Sequence, residues 1–148
     1  MAAIDIEIQG LKETQAEMER IVAELQGPPF LNGMKRATLM VERDAKIKAP
    51  VDTGRLRASI TPEVRRSGFR TQGVVGSIVK YAPFVELGTS GPRFVPAKYI
   101  GRWARRHGFK DTGIIVSGRP QPFLQPAFTE NAERIVGILG DTVKGIIK

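Results

Sequence analysis

The sequence predicts an α+β fold, a small and mainly antiparallel sheet covered by helices, and three observations predict it. Apolar residues recur at helical spacing over 11–25 and 31–48; residues 58–80 are rich in β-branched side chains punctuated by glycine; and the C-terminal third returns to helical spacing. Helices and strands therefore come in runs and do not alternate as a parallel sheet requires. With 148 residues the chain is long enough to bury a core without metals or disulfides. The expectation is one domain over 1–148, with 90–119 an insertion or mobile excursion within it.

The elements follow in order. Ile4, Ile6 and Ile8 alternate with Asp5 and Glu7, the period of a half-buried strand, and Gly10 closes it. Leu11, Met18, Ile21, Val22 and Leu25 share one helical face, and Gly27-Pro28-Pro29 ends that helix. Met34, Ala37, Val41 and Ala45 mark a second helix over 31–48, with Lys46 and Lys48 at its negative pole and Ala49-Pro50 as its stop. Asp52, Thr53 and Gly54 have turn chemistry: two side chains that bond nearby amides, then a residue tolerant of positive φ.

Residues 56–64 open as a helical turn and run on into a strand, the first of a hairpin over 58–80 with turn signals at Ser67-Gly68 and Gln72-Gly73. The stretch from Tyr81 is short and ends at Gly88, which suits a single helical turn. Within 90–119, Ile100 and Trp103 fall on one side of a short helix whose last turn is Arg105-Arg106-His107-Gly108. Finally Phe128, Ala132, Ile135, Leu139, Val143 and Ile146 predict a C-terminal helix of about twenty residues. Gly137, Gly140 and Gly145 weaken it by roughly 1 kcal/mol each, so it depends on packing.

Composition removes several function classes. No cysteine is present, which excludes disulfides, thiolate catalysis and Cys-based zinc sites. His107 is the sole histidine, and the 15 Asp and Glu are spread without a dense cluster, so neither a metal nor any other cofactor is expected. The start Met1-Ala2-Ala3-Ile4-Asp5 lacks a basic and then apolar leader, and no apolar run is long enough to cross a bilayer; the expectation is a protein that stays in the cytoplasm where it is made. A net charge of +8 favours acidic partners, nucleic acid or negatively charged protein surfaces.

No Walker loop, nucleophile elbow or His-Glu-x-x-His pattern occurs. Asp52-Thr53-Gly54 has the triplet of retroviral-type aspartic proteases, but it follows a helix and Pro50, which favours a structural turn over catalysis. His107 lies between Arg106 and Gly108 without a nearby carboxylate, the setting of a solvated helix end. Arg93, Lys98, Arg102, Arg105, Arg106 and Lys110 form an acid-free basic stretch interleaved with Phe94, Tyr99, Trp103 and Phe109. That pattern suits phosphate contact with aromatic stacking. It equally suits aromatics packed on a core or subunit edge with charges facing water.

Three blocks carry a family resemblance: Ala49-Pro50-Val51-Asp52-Thr53-Gly54-Arg55-Leu56-Arg57-Ala58-Ser59-Ile60; Tyr81-Ala82-Pro83-Phe84-Val85-Glu86-Leu87-Gly88-Thr89; and Pro120-Gln121-Pro122-Phe123-Leu124-Gln125-Pro126-Ala127-Phe128. In order and spacing they resemble the phage minor tail-component or neck family typified by the tenth gene product of a lambdoid long-tailed phage (HK97-like), over roughly 31–147. The resemblance implies a virion structural protein of the head-tail junction, made in the host cytoplasm, with no catalytic residue and no membrane. It implies a ring of six or twelve copies that touches neck, head-closure and tail proteins, with a lumen that passes DNA and contacts it without reading sequence.

The blocks acquire physical roles in that setting. Asp52, Thr53 and Gly54 fix the turn from helix to sheet. Tyr81, Glu86 and Gly88 belong to an assembly element in which Glu86 accepts hydrogen bonds from a neighbouring subunit or from backbone N–H groups. Phe123, Leu124 and Phe128 anchor the C-terminal helix on the sheet. The alternative to the ring subunit is a free, sequence-nonspecific nucleic-acid-binding module that uses the basic stretch 93–110.

Overall fold

A computed structural model describes residues 10–89, 91, 93–95, 106, 108, 114–116 and 118–148. The element order is α1 (Leu11–Leu25), α2 (Pro28–Lys48), α3 (Arg55–Ser59), β1 (Ile60–Ser67), β2 (Arg70–Ser77), α4 (Ala82–Leu87), β3 (Arg93–Val95), β4 (Ile114–Val116), α5 (Leu124–Glu130) and α6 (Ala132–Ile147). The fold is α+β, with β1–β2 and β3–β4 as separate two-stranded sheets. The strand expected at Ile4–Ile8 and the short helix expected around Ile100 and Trp103 lie outside the described residues.

Two compact units organise these elements. One takes the chain up to Met40, Pro62–Val74 and Asn131–Lys148; the other takes Val41–Thr61 and Val75–Glu130. In the first unit α1 packs along α6. Gly33 brings α2 close to α6, since a Cβ there would stand 2.6 Å from Thr142 Oγ1. That hydroxyl donates to Ile138 O at 2.7 Å and accepts from Arg36 Nη2 at 3.3 Å, which holds the contact in place. At Gly73 the strand β2 approaches α2 just as closely, 2.5 Å from Thr38 Cγ2 for a would-be Cβ. Small residues thus set the spacing, in keeping with the dense packing of protein interiors.

The second unit holds most of the buried apolar side chains: Val41, Ala45, Ala49, Leu56, Ile60, Ala82, Phe123 and Ala127. Phe123 and Ile60 are its largest fully buried members. The Lys48–Glu130 ion pair at 2.8 Å joins the end of α2 to the end of α5. Ser59, buried, donates to Leu56 O at 2.7 Å and shares a 2.7 Å hydroxyl bond with Ser77, closing the base of the hairpin. At the hairpin tip, the turn Gly68-Phe69 leaves Phe69 exposed. The adjacent Glu63–Arg65 pair, 2.7 Å long, holds the Glu63 carboxyl below its ordinary value through the hydrogen bond that Arg65 donates.

Three expectations change. The second helix begins at Pro28, not Leu31, because a proline in the first turn gives up no intrahelical bond and its fixed φ suits the helix. The long C-terminal helix is present as α6, 16 residues from Ala132 to Ile147, but it does not reach back through Phe128: Asn131 (φ -99°, ψ 3°), which is buried, separates it from α5. The third change concerns Phe128, expected among the anchors. It is 60% exposed, because the inward face of α5 is occupied by Ala127, next to Phe123 in the buried set.

Truncation separates the two phenylalanines. Phe123→Ala is expected to lower stability by about 3–5 kcal/mol, since it removes a fully buried ring. Phe128→Ala is expected to stay within about 0.5 kcal/mol, the range for exposed side chains. Urea unfolding followed by far-UV circular dichroism checks both; equal losses would contradict the burial pattern.

Candidate functional site

Helix α4 is one and a half turns long and cannot persist unaided. Pro83 sits in its first turn, and Gly88 ends it with φ 75° and ψ -174°, a conformation open to glycine. Ala82 and Glu86, four residues apart, lie on the inward face, and Tyr81, Phe84 and Leu87 on the outward one.

The Glu86 carboxylate gathers three successive backbone amides. Oε2 accepts from Phe123 N at 2.8 Å and Leu124 N at 3.0 Å, and Oε1 accepts from Gln125 N at 2.8 Å. These are amides at the start of α5, which lack intrahelical acceptors, and a negative group is favourable at that end of a helix. The side chain therefore acts as a cap supplied from 37 to 39 residues away in sequence.

Neighbouring bonds extend this staple. Gln121 N donates to Val85 O at 2.8 Å, Thr89 N donates to Gly118 O at 3.0 Å, and Gly118 N donates to Thr89 Oγ1 at 2.9 Å. Gly88 is pressed against the same strip: a Cβ there would stand 2.9 Å from Gly118 O and from Pro120 N. Both the positive φ and the crowding demand glycine.

Beside the staple, Arg55, Ala58, Ser59, Ile78, Val79, Lys80 and Tyr81 line an open groove of about 540 Å³. Its lining contains no carboxylate. Upstream, Gly54 (φ 77°) precedes α3 and its carbonyl accepts from Ala58 N at 2.9 Å, while Asp52 and Thr53 are exposed on the turn.

The structure thus brings Glu86, Gly88, Phe123 and Leu124 together, and it puts Tyr81 at the groove. Asp52, Thr53 and Gly54 form the turn into α3, and Phe128 stands apart from the buried set. Of the basic stretch, Arg106 is exposed and the backbone of Arg93 pairs with that of Val116 on β4. Lys98, Arg102, Arg105 and Lys110, and also His107, lie outside the described residues. Sequence reasoning missed Thr89, Gly118, Ser59 and Ser77. Ser59 and Thr89 lie in the first two blocks without a role having been assigned to them, and Gly118 and Ser77 offered only a glycine or hydroxyl, which many positions share.

Among the described residues, no group of three or more His, Cys, Asp or Glu side chains is placed to hold a metal ion. Nor is any helix there long and apolar enough to cross a membrane.

Residues 32–88 match the HK97-gp10-like family model. The family is described as "Bacteriophage HK97-gp10, putative tail-component". The matched segment covers less than half of the chain and runs through α2, the turn at Gly54, α3, the β1–β2 hairpin and α4 to Gly88. It takes in the first two signature blocks apart from Thr89; the third, 120–128, lies beyond it. No curated protein and no solved structure matches the chain. The designation is that of a phage tail component. Glu86, inside the HK97-gp10-like segment, makes all three of its amide bonds to residues beyond that segment.

Removing the staple is expected to loosen the start of α5 selectively. Glu86→Ala orphans three amides and should cost about 2–3 kcal/mol, the scale of hydrogen bonds to a charged group. Hydrogen exchange at Phe123, Leu124 and Gln125 should accelerate while α6 keeps its protection. Gly88→Ala should destabilise by about 1–3 kcal/mol through backbone strain and contact with Gly118 and Pro120. Unchanged exchange at the three amides in Glu86→Ala would remove the staple from the account.

Proposed function

We propose that this chain is a structural protein of the phage head-tail junction, a neck or tail-component subunit, that self-assembles into a ring and performs no catalysis. The observation that carries the reading is the match of residues 32–88 to a tail-component family. The staple supports it further, because it welds the matched segment to the third signature block by bonds that hold and do not react.

Chemistry and surface are consistent with that role. Glu86 has both carboxylate oxygens committed to backbone amides. Large apolar side chains remain exposed on both units, among them Met18, Val22, Ile78, Phe84 and Leu87, as expected of a subunit that finishes its burial by association. With +8 per copy, a closed ring places high positive potential around its lumen and attracts DNA without reading its sequence. The ring comprises six or twelve copies, sits in the virion, and joins neighbouring neck, head-closure and tail proteins.

Sedimentation velocity and native mass measurement of the purified chain test this reading. A closed species of six or twelve subunits, together with antibody labelling of purified virions at the junction, is the expected result. A monomer at every concentration, absent from virions, would overturn it.

A further inference from the structure

The exposed face of α1 and the groove beside α4 are complementary in shape class and in charge. On α1, Leu11, Met18 and Val22 lie along one stripe at spacings of seven and four, and all three are exposed. The helix buries none of its residues fully although it packs along α6. Glu19 borders the stripe, one residue after Met18 and three before Val22, and accepts a 3.0 Å bond from Gln15 Nε2. The helix carries four glutamates against Lys12 and Arg20, and Arg20 is engaged by Glu17 at 2.6 Å and Glu24 at 3.8 Å. Its surface is an apolar ridge in an acidic setting.

On the other unit the pattern is reversed. Ile78, Tyr81, Phe84 and Leu87 are exposed along the end of the hairpin and the outward face of α4. Ile78 and Tyr81 line the open groove, with Arg55 and Lys80 as its charged members. The nearby carboxylate of Glu86 faces inward and is occupied, so it does not offset them. Here an apolar groove has a basic margin.

We propose that α1 of one copy docks into the groove beside α4 of the next copy, forming the repeating contact of the ring. A helix laid by its apolar face into an apolar groove is a general recognition mode, and opposite charges at the margin fix its register. A second copy is the occupant because each chain carries both halves of the contact, and each half leaves three or four large apolar side chains in water until the other covers it. The two halves differ, so the contact is heterologous and repeats around a ring instead of stopping at a pair. This inference rests on the ring reading above and adds the surfaces that build it.

The test uses the full chain and two double variants at exposed positions, both checked for native circular dichroism: Met18→Glu with Val22→Glu on the ridge, and Ile78→Glu with Tyr81→Glu in the groove. Each alone is expected to remain monomeric where the parent forms rings, with a loss of at least about 30-fold in association, the scale of an interface hot spot. Mixed in equal amounts, the two variants retain one good groove and one good ridge between them, so they should form a pair and go no further. Lys80→Glu should weaken assembly, and adding Glu19→Lys in the same chain should restore it. Rings that persist in either double variant, or a mixture that stays monomeric, would overturn the contact and leave the ring reading standing. A parent chain that never associates would overturn both.

Discussion

A carboxylate with three amides on its two oxygens is the point on which the second unit is organised. Short elements dominate that unit: α3 has five residues, α4 six and α5 seven, and β3 and β4 have three each. Elements of this length gain too little from their own hydrogen bonds to persist, because nucleating a helical turn costs more than one bond returns. Glu86 answers this by giving α5 its missing acceptors while tying α4 to the strip at Gly118–Gln125. Gly88 then lets the chain turn away at a place where any Cβ would strike that strip. Helix end, turn and strip are mutually dependent, which explains why two signature blocks separated by thirty residues of sequence read as one device.

How much of this was legible in the sequence depends on the length of each element. Regular periodicity over several turns located α1 and α2, and β-branched residues between glycines located β1 and β2. Turn chemistry at Gly54 and Gly88 was legible because both positions adopt φ above 70°. Three-residue strands such as β3 and β4 carry no periodicity to read. The C-terminal break was invisible for a different reason: Asn131 interrupts the backbone without disturbing the three-and-four spacing of its neighbours. Phe128 misled because the spacing assigns it to the face of the long helix, whereas α5 stops before α6 begins and turns Ala127 inward.

Function was legible only as far as the residues carrying it are local. The blocks around Gly54 and Glu86 lie inside the segment that matches a tail-component family, so the reading of a structural role stands on that segment. The specific partners of Glu86 were not readable, because a cap delivered from 37 residues away has no local signature. Exposed apolar faces were equally hidden. An exposed Leu11 or Phe84 has the same letter as a buried one, and only the fold separates Ala82, turned in, from Phe84, turned out.

The short ribbon of β3 and β4 sets Arg93 opposite Val116 and Val95 opposite Ile114. Together with the two bonds between Thr89 and Gly118, it returns the backbone to its point of departure before the chain enters Pro120. The end of β3 and the start of β4 are thus held side by side, and the entropy of closing a loop between two such points grows only with the logarithm of its length. Chain length between those two points therefore adds little to the closure cost, and the ribbon and the Thr89–Gly118 bonds fix the path into Pro120 from both sides.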